Sequence, residues 1–145
     1  GRIIAIDYGA KQAIFKQLAS MNHEVLIVPA DTPFAEIIKL NPNGVFLSNG
    51  PGDPLATFQN YGKTIIDLVT KSKLPIFGIC LGHQLLGLAL GANTIKMPHG
   101  HHGANHPVKN LITGKVEITS MNHGFAIDTD SLPNHVLESH VSLFD

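Results

Sequence analysis

The sequence predicts an α/β fold, a mostly parallel sheet flanked by helices with a short antiparallel extension, and three observations predict it. Short unbroken apolar runs at residues 3–6, 25–28, 45–47 and 76–79 read as strands covered on both faces. Segments with apolar residues at helical spacing lie between them. Beyond Thr94 the pattern changes to shorter, polar-interrupted runs. Strands alternating with helices imply βαβ units with right-handed crossovers and therefore parallel pairing.

The elements follow in order. After the first strand, Ile14, Phe15, Leu18 and Ala19 mark a helix over residues 10–21. The second strand is closed by Pro29. A short helix over residues 34–40 is stopped by Asn41-Pro42-Asn43-Gly44. The third strand runs into Ser48-Asn49-Gly50-Pro51-Gly52-Asp53-Pro54, too rich in Gly and Pro for a regular element. A helix over residues 61–71 leads through Leu74-Pro75 to the fourth strand, and a tight turn at Cys80 opens a helix over residues 82–90. Residues 96–107 read as a polar loop, and residues 116–119, 126–127 and 136–139 as the short strands of the antiparallel extension. One domain spanning residues 1–145 is expected.

Composition narrows the function. Hydrophobic residues make up 43% of the 145, which describes a globular chain able to bury one core. Ten Lys and Arg against eleven Asp and Glu leave a net charge of −1, so there is no basic field for nucleic acid or for an anionic membrane. Charged residues are 14%, below the usual share of about 25%. That suits a surface covered by a partner and suits equally a domain of buried parallel strands. A single cysteine excludes an internal disulfide and points to a reducing compartment, the cytoplasm. The run Gly1-Arg2-Ile3-Ile4-Ala5-Ile6-Asp7 reads as a strand and not as a signal peptide. An abrupt start in a strand and an abrupt finish at Leu143-Phe144-Asp145 suggest a piece of a longer polypeptide.

The strongest chemical signal is Gly78-Ile79-Cys80-Leu81-Gly82-His83-Gln84, where a buried strand meets a helix. Gly-x-Cys-x-Gly is the cysteine form of the nucleophile elbow. The nucleophile sits in a strained turn, and glycines two positions before and after it let the chains pass without a Cβ clash. The helix that starts here brings positive potential to the sulfur. It also offers the Leu81 N–H as a donor to an oxyanion. A cysteine that is only a small buried hydrophobe is the commoner case, but the paired glycines at a strand-to-helix turn favour the nucleophile. The second signal is Asn49-Gly50-Pro51-Gly52-Asp53-Pro54, also at the carboxyl end of a strand. The Gly52 N–H could face the same point as that of Leu81, and losing one donor of such a pair typically costs about 2.7–4 kcal/mol in the barrier. An ordinary Gly/Pro turn is the alternative.

Leu47-Ser48-Asn49-Gly50-Pro51-Gly52-Asp53-Pro54, the elbow heptad and Asn122-His123-Gly124-Phe125-Ala126 resemble class I glutamine amidotransferases. Gly100-His101-His102-Gly103-Ala104-Asn105-His106-Pro107 and Ser142-Leu143-Phe144-Asp145 resemble the small subunits of carbamoyl-phosphate synthetase in particular. The resemblance runs through the whole chain and implies a flavodoxin-like fold. It also implies hydrolysis of L-glutamine to glutamate and ammonia, with ammonia passed to a large synthetase subunit for arginine and pyrimidine biosynthesis. In that reading Cys80 is the nucleophile, and Gly50, Gly52, Leu81, Gln84, Asn122, Gly124 and Phe125 hold glutamine. Gly52 and Leu81 double as oxyanion donors. No cofactor is expected at this site, ATP and Mg²⁺ belonging to the partner subunit.

Gln84 lies one helical turn beyond Cys80 on the same face, although a helix-surface glutamine would read the same way. Gly124 and Phe125 would serve equally as a turn and a core anchor. His99, His101, His102 and His106 cluster without a nearby cysteine, which argues against a metal site. His83 is expected to point away from the sulfur. His123 is the more plausible neighbour of the pocket, and neither is expected to be the general base. The family completes its triad with a His-x-Glu segment, and no His-x-Glu occurs in this chain. The resemblance therefore implies that the base, its carboxylate and the subunit's separate N-terminal domain lie outside the sequence, and that the chain alone has little activity. Three rivals stand beside it: an amidotransferase of an anthranilate- or GMP-type synthase, a cysteine hydrolase without glutamine specificity, and a catalytically silent docking fragment.

Overall fold

A computed structural model describes residues 1–144; Asp145, the last residue of one family-like motif, lies outside the described residues. The chain forms two compact units, Gly1–Leu90 and Gly91–Asp145.

In the first unit, β1 (Arg2–Asp7), β2 (Glu24–Pro29), β3 (Gly44–Leu47) and β4 (Ile76–Gly78) form a parallel sheet in the order β2-β1-β3-β4. Three helices join the strands, α1 (Gln12–Ala19), α2 (Phe34–Lys39) and α3 (Pro54–Lys71), and α4 (Leu81–Leu90) follows β4. Strand residues alternate between faces. Ile4 and Ile6 of β1 join Val45 and Leu47 of β3 in a core that takes in Ile37 of α2, Ile65 and Leu68 of α3, and Leu81 and Leu85 of α4. Ala5 and Phe46 face the other way and are covered by Phe15 of α1. Both faces of the central strands are thus buried, which is why these strands read as unbroken apolar runs. After β2 the chain crosses back to the far side of β1, so the strand order reverses between β1 and β3. Their carboxyl ends flank the topological switch point, where open α/β sheets place their sites.

Helix α3 begins at Pro54 and not at Tyr61. Asp53 caps it, its carboxylate accepting from the Leu55 N–H at 2.8 Å, and Pro54 occupies the first turn, where its missing N–H costs nothing. The Gly/Pro density that predicts a loop thus includes a helix start.

The second unit departs further from expectation. Residues 96–107 are not a loop but the middle of β5 (Thr94–Asn110), a strand of 17 residues paired antiparallel with β6 (Val116–Ile127). Register irregularities between Lys96 and His101 and between Gly103 and His106 absorb the glycines. His101, His106 and Val108 take buried positions, so the alternation expected of apolar side chains is carried largely by histidine. β6 is continuous where two fragments were expected. The third strand, β7 (His140–Ser142), pairs with the other side of β5, whereas residues 136–139 form no strand. Among the described residues no helix is long and apolar enough to cross a membrane.

Phe46 and Phe77 test the burial argument, because their rings lie 6.2 Å apart on adjacent strands but differ in exposure, 2% against 64%. Phe46→Ala should destabilise the first unit by about 3–5 kcal/mol. Phe77→Ala should change stability by less than about 1 kcal/mol. Urea unfolding of both variants, followed by circular dichroism, checks the pair; equal losses would refute the assignment of the core.

Candidate active site

The turn from β4 into α4 carries one of the three positive-φ non-glycine residues described in the first unit, and the other two, Asn22 and Asn41, are asparagines, which tolerate that region better. Cys80 adopts φ +53°, in the left-handed region, which costs a residue with a Cβ roughly 1–2 kcal/mol. The strained turn expected from the sequence is present. Local hydrogen bonds hold it: Ile79 N–H donates to the Leu47 carbonyl (3.2 Å), Gly82 N–H to the Ile79 carbonyl (3.0 Å) and Gln84 N–H to the Cys80 carbonyl (3.0 Å). Both flanking glycines are required sterically. A Cβ on Gly78 would lie 2.5 Å from the Gly82 carbonyl carbon, and a Cβ on Gly82 would strike the backbone carbonyl of Leu47. The first turn of α4 therefore rests directly on the ends of β3 and β4. Cys80 is half-buried. Leu81 begins α4, so its N–H has no acceptor within the helix.

The segment after β3 meets this turn. Gly50 sits where a Cβ would run into the Tyr8 carbonyl and come within 3.0 Å of the Leu81 side chain, so the loop lies against both β1's end and α4's first residue. Gly52 is exposed and takes φ +96°, a conformation that glycine adopts at little cost. Asp53 then caps α3. Gln84 is only 6% exposed, which removes the alternative of a helix-surface glutamine, while His83 is exposed. Gly50, Gly52, Cys80, Leu81 and Gln84 are thus gathered at the carboxyl ends of β3 and β4.

Asn122, Gly124 and Phe125 lie together on β6 of the second unit. They are strand residues, so the alternative of a turn at Gly124 is removed. Asn122 stands opposite His102 of β5, and their side chains meet at 2.8 Å between His102 Nδ1 and Asn122 Oδ1. His123 stands opposite His101, and its Nδ1 lies 2.9 Å from the Phe125 carbonyl. The rings of His101 and His123 are 5.0 Å apart, those of His101 and His106 5.3 Å, and Phe144 packs 4.9 Å from His106. Among the described residues no group of three or more His, Cys, Asp or Glu side chains is arranged to hold a metal ion.

Sequence reasoning assigned no positioning role to three polar residues, Ser48 and Tyr8 of the first unit and His102 of the second, although Ser48 and His102 stand in the motifs quoted above. Ser48, 0% exposed, accepts from the Tyr8 N–H at 2.9 Å and donates to the Asn49 carbonyl at 2.7 Å. Tyr8 is buried beside it, and burial pushes its phenol above the usual range. His102 orients the Asn122 amide. Each depends on a partner distant in the chain, Tyr8 with Ser48 and His102 with Asn122, which position-by-position reading does not reveal.

Comparison with known proteins bears on this arrangement. The family model for glutamine amidotransferase class-I matches residues 4–145. The carbamoyl phosphate synthase small chain of Bartonella henselae is 63% identical over 143 residues, which cover 99% of this chain and 36% of that one. The chain thus spans little more than a third of the length of this relative. Among solved structures, a Thermoplasma acidophilum protein described as belonging to GMP synthase is similar with a TM-score of 0.80 and 25% identity, over 98% of this chain and 73% of that one. A glutamine amidotransferase from Thermotoga maritima is similar with a TM-score of 0.70 and 20% identity, over 98% and 67%. The family model spans nearly the whole sequence, and the chain belongs to the class-I glutamine amidotransferases.

Proposed function

We propose that this chain is the glutamine-hydrolysing part of a carbamoyl-phosphate synthetase small subunit, with Cys80 as nucleophile. The observation that carries the chemistry is the Cys80 elbow itself, held at φ +53° on the N-terminus of α4. The 63% identity to a small chain supports the choice of subfamily.

In this mechanism the Cys80 sulfur attacks the carboxamide carbon of L-glutamine. The carbonyl π electrons move to oxygen, and the N–H groups of Gly52 and Leu81 receive the oxyanion. The intermediate collapses as the nitrogen is protonated, releasing ammonia and leaving a γ-glutamyl thioester. Water then attacks the thioester, yielding glutamate and restoring the thiol. Gln84 and Gly50 of the first unit hold the substrate. The steps are acyl transfers, which require no metal or organic cofactor, so ATP and Mg²⁺ belong with the synthetase subunit that consumes the ammonia. In this reading the whole sequence acts as one amidotransferase domain, in the cytoplasm.

Protonation of the leaving nitrogen falls to a histidine in a His-x-Glu segment, which the 145 residues lack. Positioned acid–base catalysis is typically worth 10²–10⁴-fold, or about 3–5 kcal/mol in the barrier. The chain tested alone should therefore release ammonia at least about 100-fold more slowly than the same chain continued through the C-terminal part of a small-chain relative. Comparable rates, both abolished by Cys80→Ser, would mean that a histidine already present acts as the acid, His123 being the first to substitute.

The subfamily reading has its own test. Joined to the remaining parts of a small-chain relative, this segment should co-purify with a carbamoyl-phosphate synthetase large subunit. Binding only to an anthranilate- or GMP-type synthase would overturn the subfamily and leave the amidotransferase chemistry standing.

A further inference from the structure

The loop that supplies Gly50 and Gly52 has no regular secondary structure from Asn49 to Asp53, yet an oxyanion donor is useful only if it is held before the charge develops. What holds the loop is visible at its two ends. At the far end Asp53 ties it to α3 through the Leu55 N–H at 2.8 Å. At the near end the hydroxyl of Ser48 does two things at once. It accepts from the Tyr8 N–H, the first residue beyond β1, and donates to the Asn49 carbonyl, the first peptide of the loop. Ser48 N–H in turn donates to the Ile6 carbonyl at 3.1 Å.

The β1–α1 connection on which Ser48 draws is itself pinned. Asp7 Oδ1 accepts from both Gly9 N–H (2.8 Å) and Ala10 N–H (2.9 Å), and a Cβ on Gly9 would lie 2.9 Å from Pro51 Cδ. The two connections at the switch point therefore touch at Gly9 and Pro51 and at Tyr8 and Gly50, and the Ser48 hydroxyl joins them by hydrogen bonds. Because Ser48 is 0% exposed, water cannot replace it without rearrangement.

We infer that Ser48 is a positioning residue for glutamine hydrolysis, its hydroxyl fixing the Asn49–Gly52 backbone so that the Gly52 N–H stands ready for the oxyanion. The inference rests on the amidotransferase reading above. Ser48 touches neither substrate nor sulfur in this account. It acts through the loop, so its loss should affect the transition state more than ground-state binding.

The test uses Ser48→Ala and Ser48→Thr, with turnover measured in the chain continued through the C-terminal part of a small-chain relative. Ser48→Ala should lower glutaminase kcat by about 10–100-fold, the scale of a displaced oxyanion donor, with KM within about threefold of wild type. Alkylation of Cys80 by iodoacetamide forms no oxyanion and should proceed at an unchanged rate. Ser48→Thr, which keeps the hydroxyl, should recover most of the turnover. Amide NMR of the 145-residue chain gives a readout independent of activity: in Ser48→Ala the Gly50 and Gly52 N–H signals should shift while those of α1 stay in place. An active wild type matched in kcat by Ser48→Ala, parallel loss of turnover and alkylation, or an undisturbed Gly52 signal would each overturn the inference. A wild type that hydrolyses no glutamine would overturn the reading on which it rests.

Discussion

The first turn of α4 passes over the end of β3 with no room for a side chain between them. At Gly82 the helix backbone meets the Leu47 carbonyl, and at Gly78 the strand meets the Gly82 peptide. This contact decides where the helix begins, and the start of the helix decides the backbone angle of the residue before it. Cys80 is left in a left-handed conformation that a cysteine does not adopt by preference. The strain is affordable because the same turn buries Leu81 and Leu85 in the main core beside Leu47 and Ile65. Full burial of such a side chain is worth about 1.5–3 kcal/mol, more than the conformational cost at one residue.

The remaining features of the site follow from that close passage. With α4 seated on β3, Gly50 comes to lie against the Leu81 side chain, and the loop after β3 borders the elbow. Apolar packing has no direction, however, and cannot orient a peptide N–H. Orientation comes from polar groups with few alternatives: the Ser48 hydroxyl between Tyr8 and Asn49, the Asp7 carboxylate on Gly9 and Ala10, and the Asp53 cap on α3. The first unit thus divides its labour, with the core setting distances and a few buried or capping hydrogen bonds setting directions. In the second unit the same device recurs where His102 holds the amide oxygen of Asn122 across the β5–β6 ladder.

How much of this was legible depended on the range of the interaction concerned. The central strands β1 and β3 were legible because burial on both faces leaves an unbroken apolar run, whereas the edge strands β2 and β4, expected to be covered in the same way, leave Ile27 (52%) and Phe77 (64%) exposed. The elbow was legible because its steric conflict is local, so Gly78 and Gly82 sit at set offsets from Cys80. The start of α3 was misread because Asp53 and Pro54, which cap and open it, stand inside a run of turn residues. The central part of β5 was misread because two of its buried positions are His101 and His106, and two register irregularities break the alternation. Position-by-position polarity cannot reveal a strand whose inward residues are polar. Ser48 could not be picked out because its decisive partner, Tyr8, is 40 residues away. Gln84 needed the structure for the opposite reason: helical spacing gave its face, but only the fold shows that this face is buried.

The central claim is that the strained cysteine is built to accept glutamine. The most direct test is the modification of Cys80 by a glutamine-like chloroketone, followed by intact-mass and peptide mass spectrometry, in the chain continued through a His-x-Glu segment. A single adduct should form on Cys80, more slowly as L-glutamine is added and saturating with concentration, while glutamate and asparagine protect far less. Modification at a rate indifferent to glutamine would contradict the claim, and would leave Cys80 the nucleophile of a hydrolase with some other substrate.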